Sequence, residues 1–291
     1  MIYLVFYILI TVFSVMFIHD LGQRWPVSLT LMLSTFYATI FFNLINLRRL
    51  RKTYIAMLKQ KRLYGLLMVS ILVIWAGSFS GAAFISPTFS LFVVFGIGAA
   101  FGSFFAYWEN RTKLNLFRLA LIVSVVVIFY TSLVEHYSTL QLISIIVLTL
   151  VVGAFDYIYG YASYKISQHN LDATQILAAR FWLMLLAISL ICWQNKSLEV
   201  LKEHYSEILV ESLLLSIAAF IVPVYLYQKS VLKIGPNLAM VLCGFIPLLS
   251  YLAECAFISL PITTSTMGTM SILLSVAIGI PYVLRRFQYA E

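Results

Sequence analysis

Charge is scarce in this 291-residue chain: 10% of its residues are Asp, Glu, Lys or Arg, against about 25% in a soluble domain. Cysteine is scarcer still, with Cys192, Cys243 and Cys255 all in apolar surroundings. Cys243 and Cys255 fall on one predicted helix about 18 Å apart, beyond the reach of a disulfide, and no Cys/His pair has metal-ligand spacing. A disulfide framework and a metal site are therefore not expected, and no cofactor is implied. Walker, GxSxG and HExxH motifs are missing. The four histidines, His19, His136, His169 and His204, sit at the ends of apolar stretches, a poor placement for acid–base chemistry inside a membrane. These absences argue against an enzyme.

What the chain does have is apolar surface. Hydrophobic residues make up 62% of it and the mean hydropathy is +0.98, more than a water-exposed fold can hide. This excludes a soluble enzyme, a disordered chain and a nucleic-acid-binding domain, despite a net charge of +8. Apolar stretches run at about 2–18, 27–46, 63–83, 86–107, 114–133, 139–164, 173–193, 208–228, 236–258 and 264–284. Each is near the roughly 20 residues that one crossing needs. The first twenty residues lack the basic n-region and cleavage site of a signal peptide and read as a retained first span. The expectation is an all-α integral membrane protein of ten spans.

The basic residues test that count. With ten spans, one side of the membrane receives Arg48, Arg49, Arg51, Lys52, Lys59, Lys61, Arg62, Arg111, Lys113, Arg118, Lys165, Lys229, Lys233, Arg285 and Arg286. The other side receives Arg24, Lys196 and Lys202, and Arg180 lies inside a span. Basic residues near span ends collect in the cytoplasm, so both termini are expected there. The cluster RRLRKTYIAMLKQKR (48–62) reads as the topology anchor, lying on anionic head groups. Glu199, Glu203, Glu207 and Glu211, spaced by four, read as one solvated helical extension on the other side.

The two halves repeat. Ile85-Ser86-Pro87-Thr88 aligns with Ile234-Gly235-Pro236-Asn237 at an offset of 149 residues, and the same shift superposes several other spans. Residues 1–134 and 135–291 are thus predicted as two five-span repeats. Five is odd, so the second repeat must be inverted relative to the first, the arrangement that lets one central site open to either side in turn.

The segments AAFISPTFSLFVVFGIGAAFGSFFAYWENR (82–111) and SVLKIGPNLAMVLCGFIPLLSYLAECAFISLPITTSTMGTMSILL (230–274) carry a resemblance to the EamA-type branch of the drug/metabolite transporter superfamily. Pro247, Gly268, Glu109 and Arg180 fit its short motifs, whereas Gly96 and Leu260 stand where members carry proline and an acidic residue. The resemblance implies a ten-helix secondary transporter in a bacterial inner membrane, exporting amino acids or related small metabolites. Uptake or exchange of a scavenged metabolite, and a non-transport scaffold, are the alternatives.

An ionisable residue at mid-membrane is costly and is a functional candidate by default. Asp156 and Arg180 lie at similar depth on consecutive spans, which predicts an ion pair, either structural or released to a substrate. Glu254 shares a helical stripe with Asn237, Gly244, Pro247 and Tyr251; it either couples transport to protons or snorkels to the interface. Tyr159 follows Asp156 on its helix, and Trp75, Ser78 and Tyr225 are further substrate-binding candidates. Asn237 and Tyr251 join them from the stripe. Pro87 is read as a helix start, Pro247 as a bend, and Gly98, Gly102 and Gly244 as sites of close helix approach.

Overall fold

In lipid, backbone N–H and C=O groups must be satisfied within the segment that carries them, so a chain this apolar folds into helices. The computed structural model describes residues 2–133, 138–257 and 268–279, and these are helical with short connections and no strand. In chain order the helices are α1 Ile2–Arg24, α2 Val27–Ile45, α3 Leu50–Lys59, α4 Lys61–Phe84, α5 Pro87–Asn110 and α6 Lys113–Leu133. They continue with α7 Thr139–Ser167, α8 Ala173–Gln194, α9 Ser197–Glu203, α10 Tyr205–Ile234, α11 Pro236–Ala256 and α12 Gly268–Gly279. Among the described residues, nine helices are long and apolar enough to cross a membrane, and α12 is a shorter apolar helix. The chain is a multi-pass membrane protein. The ends of the expected tenth span, Leu260, Pro261, Arg285, Arg286, His136 and the 134/135 repeat boundary lie outside the described residues.

Most helix starts and stops have local causes. Ser86 caps α5 by accepting from the Phe89 N–H at 3.1 Å, and Pro87 occupies the first turn as expected, where its missing N–H costs nothing. Asp172 caps α8 in a box with Gln175. Gly235 takes φ 80 and hands α10 directly to Pro236 of α11, a backbone conformation that side chains resist.

Several spans are interrupted. A π-helical turn occupies Phe92–Gly96 in α5 and another Ser216–Ile221 in α10. The second precedes Pro223, which cannot donate to the Ala219 carbonyl, so the helix must widen there. α8 breaks at Phe181, and α11 at Gly244 and Phe245, just ahead of Pro247. The interruption thus lies just ahead of the proline expected to bend this helix.

The acidic series is not one helix, and this corrects the expectation. His204 leaves helical geometry and separates α9 from α10. α10 can then start on its own axis and bring Glu211 to Arg24 and to the Trp25 indole N–H, each at 2.6 Å.

Small residues do set the packing. Across the α5–α7–α11 contact a side chain at Gly98 would meet Asp156 Oδ2 at 2.9 Å, and one at Gly102 would meet the Met240 side chain at 3.3 Å. At Gly244 an added methyl would run into Ile278 of α12.

Candidate functional site

A cavity lies in the middle of the bundle between α1, α4, α5, α7, α8 and α10. It offers about 80 Å³ of room to the centre of a water-sized sphere. One water needs roughly 10–15 Å³ on that measure, so the space suits a small solute. Apolar residues such as Ile18, Ile71, Leu91 and Phe95 line much of its wall. Its polar groups concentrate toward the bundle end that carries the start of α1: Tyr7, Asp156, Tyr159, Arg180 and Tyr227, with Thr11, Ser14 and Ser78 further along.

Arg180, 1% exposed, is among the largest fully buried side chains of the described residues, and Asp156 is 4% exposed. The structure brings both to one cavity but does not pair them, and this corrects the predicted ion pair. One guanidinium nitrogen of Arg180, Nη1, donates to the Tyr159 hydroxyl, one turn beyond Asp156 on α7. That hydroxyl in turn donates to Gln228 Oε1 at 2.7 Å. The guanidinium also lies over the Tyr159 ring at 5.1 Å and the Phe181 ring at 4.5 Å, a placement favourable for a delocalised cation. Arg180 Nε and Nη2 and Asp156 Oδ2 are left buried with no hydrogen-bond partner among the described residues. A guanidinium and a carboxyl group therefore face one cavity with bonding capacity to spare.

The break in α8 falls immediately after Arg180 and is held from outside. The carbonyls of Ala178 and Ala179 sit on the last turn before it. Asn43 Nδ2 donates to Ala178 at 3.0 Å, the Tyr54 hydroxyl lies 3.1 Å from the same carbonyl, and the Tyr64 hydroxyl donates to Ala179 at 3.0 Å. Trp182 Nε1 completes the clamp by donating to the Tyr54 hydroxyl at 2.5 Å. Three separate elements, α2, α3 and α4, thus fix the position from which Arg180 enters the cavity. Burial raises the Tyr54 phenol above its ordinary value, against the lowering effect of the Trp182 and Asn43 hydrogen bonds.

Of the residues singled out from sequence, Asp156, Tyr159, Arg180, Trp75 and Ser78 line the cavity. Trp75 lies stacked on Phe220 with ring centroids 4.0 Å apart. Tyr225, Asn237, Tyr251 and Glu254 are elsewhere. Tyr225 carries Lys229 over its ring, Asn237 donates to Glu109 at 3.3 Å, and Tyr251 packs where Gly268 leaves room. Glu254 is 2% exposed and so does not snorkel. Its carboxylate accepts from the Thr88 backbone N–H at 3.1 Å and from the Thr88 hydroxyl, at the start of α5. There it satisfies an orphan N–H and meets the positive end of the helix.

Tyr7, Thr11, Tyr227 and Gln228 belong to the site and were not singled out. Tyr7, Thr11, Ser14 and Ile18 follow helical spacing on α1, a stripe that periodicity could have found. Tyr227 and Gln228 sat at the expected end of their span, whereas α10 continues to Ile234. No protein-family model and no curated protein matches this chain.

Proposed function

We propose that the protein is a secondary transporter of a small zwitterionic metabolite, an exporter of amino acids or related compounds, rather than an enzyme. The observation that carries this reading is the central cavity in which Arg180 and Asp156 each keep bonding atoms with no partner among the described residues. A guanidinium with free N–H groups suits a substrate carboxylate, and a carboxylate suits an ammonium. Tyr7, Tyr159 and Tyr227 supply hydroxyls and ring faces around them.

The interrupted helices support alternating access. Irregular backbone within a membrane is tolerated where it is buried in protein or lines a cavity, and the interruptions in α5, α8 and α10 each adjoin cavity-lining residues. Under the 149-residue shift, the π-turn of α5 at 92–96 falls on 241–245, where α11 is interrupted. That coincidence favours two inverted repeats of five spans, 1–134 and 135–291; the side of the termini, cytoplasmic, is read from the basic residues, and the bacterial inner membrane from the family resemblance. The partners are then the bilayer, the metabolite and, as coupling ion, protons.

Purified protein in proteoliposomes tests this directly by counterflow with labelled amino acids, organic acids, polyamines and nucleosides. Exchange of a zwitterion that Arg180→Gln abolishes is the expected result. Uptake of cations or anions alone, indifferent to Arg180→Gln, would remove the zwitterion reading. Absence of any flux with a flat thermal-stability panel would return the scaffold alternative, since a ligand at a hundred times its Kd should stabilise the fold by about 2.7 kcal/mol.

A further inference from the structure

The basic cluster at 48–62 is a folded element with two distinct faces. A short 3₁₀ turn over Leu47–Arg49 leads into α3, which ends at Lys59 just before α4 begins. On the inner face, Thr53 and Met57 are fully buried and Tyr54 reaches the α8 break. On the outer face, Arg51, Lys52, Ile55, Leu58 and Lys59 lie within one broad arc and are all exposed. Ile55 is 47% and Leu58 63% exposed.

This mixture of cations with uncovered aliphatic side chains separates two environments. Bulk water would favour the cations but leave Ile55 and Leu58 uncovered. The hydrocarbon core would cover those two but penalise the three cations Arg51, Lys52 and Lys59. A head-group layer of anionic lipid satisfies both, with the aliphatic side chains entering the acyl boundary and the cations meeting phosphates. The charges are also unspent. Arg49 approaches Asp172 at 3.6 Å, but among the described residues Arg48, Arg51, Lys52, Lys59, Lys61 and Arg62 have no acidic partner within 4 Å.

We propose that α3 is an interfacial helix that docks on anionic phospholipid. Topology alone would need positive charge on this side of the membrane, but not a helix that also presents Ile55 and Leu58 outward. The docked surface is the reverse side of the helix that carries Tyr54, so lipid that seats α3 also seats the clamp beside Arg180. The proposal stands independently of transport, because lipid docking is measured without a substrate.

The test uses the full chain in a neutral detergent, with phosphatidylglycerol or phosphatidylcholine added at equal mole fraction. Bound lipid is counted by native mass spectrometry and melting is followed in parallel. Phosphatidylglycerol is expected to bind and to raise the Tm, an effect that fades with added salt as the Debye length shortens. Phosphatidylcholine should do neither. Each neutralised cation should weaken binding about fivefold, so Arg51→Gln with Lys52→Gln should lose most of the response while keeping the lipid-free Tm, both positions being exposed. Ile55→Ser with Leu58→Ser is the second variant and should weaken binding with the charges intact. Equal responses to the two lipids, or a full phosphatidylglycerol response in both variants, would overturn the proposal. So would a single-stranded RNA oligomer that binds while phosphatidylglycerol does not, which would assign the basic face to nucleic acid.

Discussion

Gly98 on α5 and Asp156 on α7 are in such close register that any side chain at 98 would stand 2.9 Å from the Asp156 carboxylate oxygen Oδ2. The glycine gives Asp156 its place at the cavity wall, where that oxygen is held without a hydrogen-bond partner among the described residues. Gly98→Ala should therefore cost about 1–3 kcal/mol by overpacking and weaken ligand binding as Asp156 is displaced. Gly102→Ala, which meets the Met240 side chain at 3.3 Å and the Asn237 carbonyl at an ordinary 3.8 Å, should lower stability less and leave ligand affinity near wild type. Melting with and without ligand separates the two.

Tyr159 is the hydrogen-bond hub of the site, accepting from Arg180 and donating to Gln228. Tyr159→Phe leaves the buried Arg180 without its one hydrogen-bonded side-chain partner among the described residues, a loss of about 1–3 kcal/mol. Asp156→Asn and Arg180→Gln, by contrast, should combine in the ligand-free protein with a coupling below about 1 kcal/mol, because no direct ion pair is lost. A larger coupling measured by denaturation would show that the two side chains do interact directly.

Glu254 is engaged at the start of α5 rather than in the cavity. Glu254→Ala orphans the Thr88 N–H and leaves its hydroxyl only the 3.4 Å contact with Ser250 Oγ, and should destabilise the protein by about 1–3 kcal/mol. Glu254→Gln, which retains an acceptor for the N–H, should lose less, and its transport should keep the wild-type pH profile. A displaced profile in Glu254→Gln would assign Glu254 the coupling role that its position in the sequence stripe first suggested.

The Tyr54 clamp is testable by fluorescence and pH. Tyr54→Phe removes the acceptor of the Trp182 indole, so the emission of Trp182 should shift, with a stability loss of about 0.5–1.5 kcal/mol. Burial raises the Tyr54 phenol, which means the folded state favours the neutral hydroxyl. The stabilisation it gives is complete below the ordinary tyrosine range near 10 and fades as pH rises through the elevated folded value. The Tm difference between wild type and Tyr54→Phe should be constant through neutral pH and shrink only in strong alkali.

Much of the architecture was legible because it rests on one-dimensional properties. Length of apolar run, spacing of breakers and placement of basic residues are set by the bilayer, which acts on each span separately. That is why α2, α5 and α11 begin close to where the sequence places them, and why Pro87 and Pro247 mark a start and an interruption. Asp156 and Arg180 were identifiable for the same reason: burial of a charge is costly wherever the helix finally packs.

Partnership between helices was not legible. Asp156 and Arg180 share depth, but depth says nothing of azimuth, and rotation of α7 and α8 gave the guanidinium to Tyr159. Glu254 met Thr88, 166 residues away in sequence, because the packing of α11 on the start of α5 fixed which face turned inward. Tyr7 and Tyr227, with ring centroids 4.9 Å apart, come from opposite ends of the chain and meet only because α1 packs along α10. The sequence by itself determined which segments enter the membrane and which residues are too polar to be there idly. The tertiary structure alone decided which of those residues face one another, since a helix carries its side chains all round and only packing selects the side that becomes the site.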